Sequence, residues 1–127
     1  MISIKEIRKP GRISILAVDS NKTGQKIVGY AKIWTEVQKD YDWLVAYYIR
    51  PRYRGTGLAR QIMDKVKSAT NKNIALRVNP YKDQEGADPE DLAQKYMHFG
   101  FRKLPNQSQN NMYFIKKKSP ETLSSKI

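Results

Sequence analysis

The sequence predicts a mixed α/β (α+β) domain built on a central mixed sheet of six or seven strands. Two observations carry this. Residues 2–49 fall into runs that favour strands, separated by turn signals. After Pro51 the period changes: Leu58, Ile62, Val66 and Ala69 recur at helical spacing and are followed by a short apolar run at 74–78. An antiparallel meander therefore leads into a strand-helix-strand crossover. Such crossovers are right-handed, which makes the two flanking strands parallel.

Each element has a local reason. Residues 2–7 alternate apolar and polar side chains, as a half-buried strand does. Pro10-Gly11 turns the chain into a second strand over 12–19, and Ser20-Asn21-Lys22-Thr23-Gly24 closes a hairpin with a third over 26–37. Residues 43–49 are apolar on both parities, which marks a central strand covered on both faces. In the helix after Pro51, Arg60, Gln61, Asp64, Lys65 and Lys67 take the outward face, and Asn71 or Asn73 can end it. Asp88-Pro89-Glu90-Asp91 starts a second helix, with Asp88 at the N-cap, Pro89 at the first position and acids against the dipole. Gly100 stops it in a left-handed conformation. Residues 101–104 and 112–116 form a last strand pair around the loop 105–111. Residues 1–118 read as one domain and 119–127 as a disordered polar tail.

Composition excludes several chemistries. The chain has 127 residues, one domain's worth, and no cysteine, so disulfides, thiolate metal sites and cysteine nucleophiles are out. One histidine, His98, makes a His-rich metal site or a Ser-His-Asp triad improbable, and no metal is expected. No apolar run approaches the length that spans a bilayer, so the expectation is a cytoplasmic protein with no membrane partner. Twenty-four Lys and Arg against 12 Asp and Glu give a net charge of +12, which attracts nucleic acid, an acidic protein or a phosphorylated ligand, or simply solvates the surface.

The segment Arg52-Tyr53-Arg54-Gly55-Thr56-Gly57 joins a strand to a helix. Two close glycines permit a tight turn and expose successive N–H groups at a helix start, where donors lack internal acceptors and the dipole is positive. That is an anion site suited to a diphosphate, with Arg52, Arg54 and Arg60 adding full charges. Alone, the pair reads equally as turn punctuation. A third glycine is missing for the dinucleotide fingerprint, and Gly-Lys-Ser/Thr is missing for the Walker loop.

The wider stretch Tyr48-Ile49-Arg50-Pro51-Arg52-Tyr53-Arg54-Gly55-Thr56-Gly57-Leu58-Ala59 resembles the acetyl-CoA motif of the GNAT superfamily of N-acetyltransferases, Gln/Arg-x-x-Gly-x-Gly/Ala, through Arg52, Gly55 and Gly57. Tyr96-Met97-His98-Phe99-Gly100-Phe101 resembles that family's helix ending Tyr-x-x-x-Gly-Phe. The resemblance covers roughly residues 26–116. It implies a sheet whose fourth and fifth strands are parallel and splayed, and acetyl-CoA as co-substrate. It places the pyrophosphate on backbone amides from Arg54 through Gly55, Thr56, Gly57 and Leu58 to Ala59. Backbone groups of Tyr48 and Ile49 would pair with the pantetheine arm, and Arg52 or Arg60 would reach outer phosphates. Tyr96 takes the position that protonates the departing thiolate, although an aromatic at this helical position also simply packs.

Other roles rest on residue type and place. A base must take the amine's proton, and Asp42 or Glu36 serves, although acids at turns and strand edges are usually just solvated. Asn79 could hydrogen-bond substrate or pantetheine. Asp83 and Glu85 belong to an acidic run that, beyond its part in capping the helix, forms a lip for a cationic amine. Only Arg8 to Gly11 separate the first two strands, where the family usually places one or two helices that floor the acceptor site. Either the acceptor groove is open, which suits a macromolecule, or a partner chain completes it; a monomer and a homodimer both fit. Three functions follow: an acetyltransferase acting on a protein, nucleic-acid-associated or small cationic amine; a basic nucleic-acid-binding module; and a degenerate acetyltransferase fold that binds protein or nucleic acid without turnover.

Overall fold

Alternation, turn chemistry and helical spacing resolve into one sheet in a computed structural model of the chain, which describes residues 1–78, 88–108 and 110–116. The strands are β1 (Ile2–Lys9), β2 (Arg12–Asn21), β3 (Gly24–Trp34) and β4 (Tyr41–Ile49). Helix α1 (Leu58–Ala69), β5 (Asn73–Arg77), α2 (Pro89–His98) and β6 (Asn111–Phe114) follow. Their order in the sheet is the order in the chain; β4 and β5 pair in parallel, and every other pair is antiparallel. The expected meander, crossover and parallel pair are all present. The third strand stops at Trp34 rather than 37, and the expected partner of β6 reduces to one bridge between Arg102 and Tyr113. The expected tail, 119–127, lies outside the described residues.

Both helices cover the same face. Ile13, Ile15, Ala31, Ile33, Ile74 and Leu76 point to it and are buried. Leu58, Ile62, Met63, Val66 and Ala69 meet them from α1, each large side chain contributing about 1.5–3 kcal/mol by leaving water. Along the edge, Lys65 pairs with Glu6 at 3.8 Å and the Arg8 guanidinium donates to the Ala69 carbonyl at 2.6 Å. The opposite face carries no helix among the described residues.

Two β-bulges break the registers. Val28 is the extra residue of β3 against β2, and Val45 the extra residue of β4 against β3. Beside the first sits Gly29. A Cβ there would lie 3.0 Å from the Ile49 and Ile62 Cδ1 atoms and 3.1 Å from the Tyr48 carbonyl oxygen. Gly29 thus lets α1 settle onto β3 and β4 immediately below the turn that connects them. Gly29→Ala should destabilise the domain by about 1–3 kcal/mol through overpacking, read as a lower urea midpoint; an unchanged midpoint would contradict this close approach.

Candidate functional site

The turn between β4 and α1 is built by sequence in a fixed order. Pro51 starts a single 3-10 turn through Tyr53, with Tyr53 N–H donating to the Arg50 carbonyl at 2.9 Å and Arg54 N–H to Pro51 at 3.2 Å. Gly55 and Gly57 then take φ of +76° and +88°, and the Thr56 hydroxyl donates to the Tyr53 carbonyl at 2.6 Å. No atom stands within 4 Å of where a Cβ would be at either glycine, so the left-handed backbone, not crowding, requires them. The first bond of α1 runs from Gln61 N–H to the Gly57 carbonyl at 3.1 Å. The N–H groups from Gly57 to Arg60 precede it and have no intrahelical acceptor, and no side chain caps the helix start. This is an open cradle of oriented donors at the positive end of a helix.

Cations gather around that cradle. Arg50, Arg52 and Lys26 line an open cleft with Tyr48 and Tyr53. The Tyr53 hydroxyl donates to Asp19 at 2.6 Å, which holds that carboxyl below its ordinary range and raises the phenol. Arg54 bends back over β4: its Nε donates to the Ile49 carbonyl at 3.0 Å and its guanidinium lies 5.9 Å from the Tyr48 ring centre. The Ile49 carbonyl expected to meet a ligand therefore already has a charged donor. Arg60, on the exposed side of α1, stands over the Phe99 ring.

Beside the turn, β4 and β5 part. Their parallel pairing runs only from Tyr41–Asn73 to Leu44–Leu76. Beyond it β4 stays with β3 as far as the bond from Arg50 N–H to the Val28 carbonyl, while β5 stays with β6 as far as that from Val78 N–H to Asn110. The bulge at Val45 falls where the parting begins. A bulge there re-aims the backbone of β4 beside the opening.

On the helix-covered side of this opening stands an aromatic cluster. The Tyr47 ring lies 6.2 Å from Tyr96 and 6.3 Å from Phe99, and Tyr96 lies 6.0 Å from Phe101. The motif Tyr96-x-x-x-Gly100-Phe101 explains the placement. Gly100, at φ +99°, donates to the Met97 carbonyl and Phe101 N–H donates to the Tyr96 carbonyl, both at 3.0 Å. That is a Schellman C-terminus, in which the residue after the glycine packs on the residue five before it. The motif thus fixes Tyr96 against Phe101 at the end of α2. Tyr47 belongs to the cluster although the sequence gives no sign of it beyond a tyrosine in an apolar strand. Its hydroxyl donates to the Ala59 carbonyl at 2.7 Å, tying β4 to the first turn of α1, and burial followed by the neighbouring Tyr96 pushes its phenol pKa up.

The three expected catalytic residues are not brought together. Tyr96 stands by Tyr47, whereas Asp42 lies five residues earlier on β4, about 15 Å along the strand. Glu36 is exposed in the bend after β3, its carboxylate beside Gly11. Asp42 is buried; its Oδ1 accepts no hydrogen bond from the described residues, and Lys72 Nζ is 3.9 Å away. Asn79, Asp83 and Glu85 lie outside the described residues. His98 is exposed on α2. Among the described residues no group of three or more His, Asp or Glu is placed to hold a metal, and no helix is long and apolar enough to cross a membrane.

A mixed sheet with a parallel pair that parts over a glycine turn defines the class of fold. Residues 10–103 match the model of the acetyltransferase (GNAT) domain, and the chain belongs to that family. Solved structures share its fold. A GNAT-family acetyltransferase from Staphylococcus aureus Mu50 superposes with a TM-score of 0.62 at 21% identity, over 84% of this chain and 69% of that one. The anti-CRISPR protein AcrVA5 does so at 0.60 and 19%, over 82% and 98%. The PaiA N-acetyltransferase of Thermoplasma acidophilum, solved with coenzyme A, does so at 0.59 and 13%, over 85% and 62%. No curated protein matches the chain.

Asp42 gives a test of the site's electrostatics. Burial raises its pKa above the ordinary 3.8, and Lys72 opposes this in part. The folded state therefore holds the proton more tightly than the unfolded chain. Ionised Asp42 destabilises the fold at neutral pH, and that penalty fades as pH falls through its raised value towards 3.8. Asp42→Asn should raise the denaturation midpoint at pH 7.5, with the advantage shrinking towards pH 4; an advantage independent of pH would contradict the burial account.

Proposed function

We propose that the chain is an N-acetyltransferase that takes its acetyl group from acetyl-CoA and passes it directly to an amine. The observation that carries this reading is the cradle of amides from Gly57 to Arg60, opening at two left-handed glycines beside the parted strands. It suits a diphosphate in donors, charge and access. Amides from Gly55 through Thr56, Gly57 and Leu58 to Ala59 and Arg60 hold the pyrophosphate, the Arg54 N–H being already engaged by the Pro51 carbonyl, and Arg52 and Arg60 reach the outer phosphates. The pantetheine arm lies in the opening against the backbone of Tyr48 and Ile49, and Arg54 must leave the Ile49 carbonyl for the arm to use it.

In the reaction the neutral amine nitrogen attacks the thioester carbon. The new C–N bond forms as charge develops on the carbonyl oxygen, which a main-chain N–H of β4 beside the Val45 bulge stabilises. Collapse breaks the C–S bond, and Tyr96 protonates the departing thiolate. The amine's proton leaves through ordered water to a carboxylate. The proposed carboxylates are Asp42 and Glu36; neither stands beside Tyr96, so the proton reaches either one only through a chain of waters. Asn79, Asp83 and Glu85 are proposed to meet the cationic acceptor. The acceptor class remains broad, namely a protein, nucleic-acid-associated or small cationic amine. The sheet face that carries no helix among the described residues favours a large one.

A thiol-release assay over a panel of amines and peptides tests the reading. Gly57→Glu should abolish acetyl-CoA binding by placing a carboxylate in the cradle. Tyr96→Phe should lower kcat by about 10–100-fold, the lower range of general-acid contributions, while acetyl-CoA still binds. Full turnover by Tyr96→Phe would remove the acid role, and release of no coenzyme A together with no cofactor binding would remove the enzyme reading.

A further inference from the structure

The sheet face opposite α1 and α2 has a composition unlike a solvated strand surface. Register places Tyr30 opposite Tyr48, Lys32 opposite Ala46, and Trp34 opposite Trp43 on this face. The two aromatic pairs are separated by one row, so Tyr30 and Trp34 stand about 13 Å apart along β3. The Tyr30 and Tyr48 rings are 5.7 Å apart, and Lys32 Nζ lies 5.7 Å from the centre of Tyr30. Trp34 is 52% exposed at the end of its strand, and the Trp43 indole is pinned by its N–H donating to Gln38 at 2.8 Å.

Among the described strand residues, charge on this face has one sign. Lys5, Lys9 and Arg12 project from β1 and β2 beside Lys32, and all four are exposed. The strand carboxylates, Glu6, Asp19 and Asp42, all fall on the register positions of the helix-covered face. A second copy of this chain docking through the same face would set cations against cations, because a two-fold interface meets itself. The complementary partner is a polyanion that also offers flat apolar surfaces at repeated intervals. Phosphates every nucleotide and unstacked bases between them have that chemistry, and aromatic rings among basic side chains on an open sheet are how such strands are held.

We propose that the helix-free face of the sheet binds single-stranded nucleic acid, with bases stacking on Tyr30, Trp34 and Trp43 and phosphates meeting Lys5, Lys9, Arg12 and Lys32. This goes beyond acetyl transfer and does not depend on it. Among the described residues the face is open: only Pro10 and Gly11 separate β1 from β2, so no helix at that connection covers the sheet.

Both tryptophans of the chain lie on this face, so intrinsic fluorescence reports directly on its occupancy. The full chain is titrated at low salt with a single-stranded oligonucleotide of about ten nucleotides, within the span such surfaces bind. Saturable quenching is expected, with log K falling against log salt at a slope of about −2 to −3 for three or four phosphate contacts. Trp34→Ala should weaken binding about 5-fold or more, the loss of one stacked base, measured by anisotropy of a labelled strand. Lys32→Glu should weaken it and flatten the salt slope. Neither variant should change acetyl-CoA binding, which also shows that both fold. A duplex of the same length should bind more weakly, since its bases are already stacked. The proposal is overturned by absence of quenching at low salt, by wild-type affinity in both variants, or by equal affinity for the duplex. It also fails if phosphatidylserine vesicles quench and the oligonucleotide does not compete.

Discussion

β4 and β5 hydrogen-bond as parallel strands only from Tyr41 to Leu44, and each then follows its outer neighbour. In the middle of a sheet this is a costly arrangement, because backbone donors and acceptors that face the opening lose their ladder partners. Several features exist to hold the two strands apart. The Val45 bulge ends regular pairing on β4, Gly29 lets α1 close beneath the turn, and the Tyr47 hydroxyl pins the first turn of α1 to β4. The backbone groups so exposed line the opening beside the glycine turn.

The two recognisable motifs are two solutions to helix ends. At the start of α1, glycines in left-handed conformations leave the amides uncapped and reachable. At the end of α2, Gly100 in the same conformation closes the helix on itself, so that Phe101 packs on Tyr96. One end is left unsatisfied and the other is sealed. That asymmetry separates an open row of donors from a structural stop, although a left-handed glycine builds both.

Much of the fold is legible in the sequence because local rules and global placement agree. Alternation locates the meander, the 58-62-66-69 spacing locates α1, and Asp88-Pro89 with Gly100 brackets α2. The parts that escape sequence reading depend on contacts between distant segments. Gly29 looks like an ordinary strand glycine until Ile49 and Ile62 close on it. Tyr47 and Tyr48 are adjacent and alike, yet register sends one beneath the helices and the other to the open face. Asp42 reads as a turn acid, and it is buried because β5 and Lys72 come from thirty residues downstream. The acidic segment with Asp83 and Glu85 lies outside the described residues, so its relation to the opening rests on sequence alone.

In the proposed function the turn and the opened strands together form one ligand site. An amide NMR titration with coenzyme A addresses it most directly. Saturable shifts are expected at Gly55, at Gly57 to Arg60, and at Tyr48 and Ile49 with a common dissociation constant. Shifts scattered over surface lysines and arginines, with these amides unmoved, would contradict it.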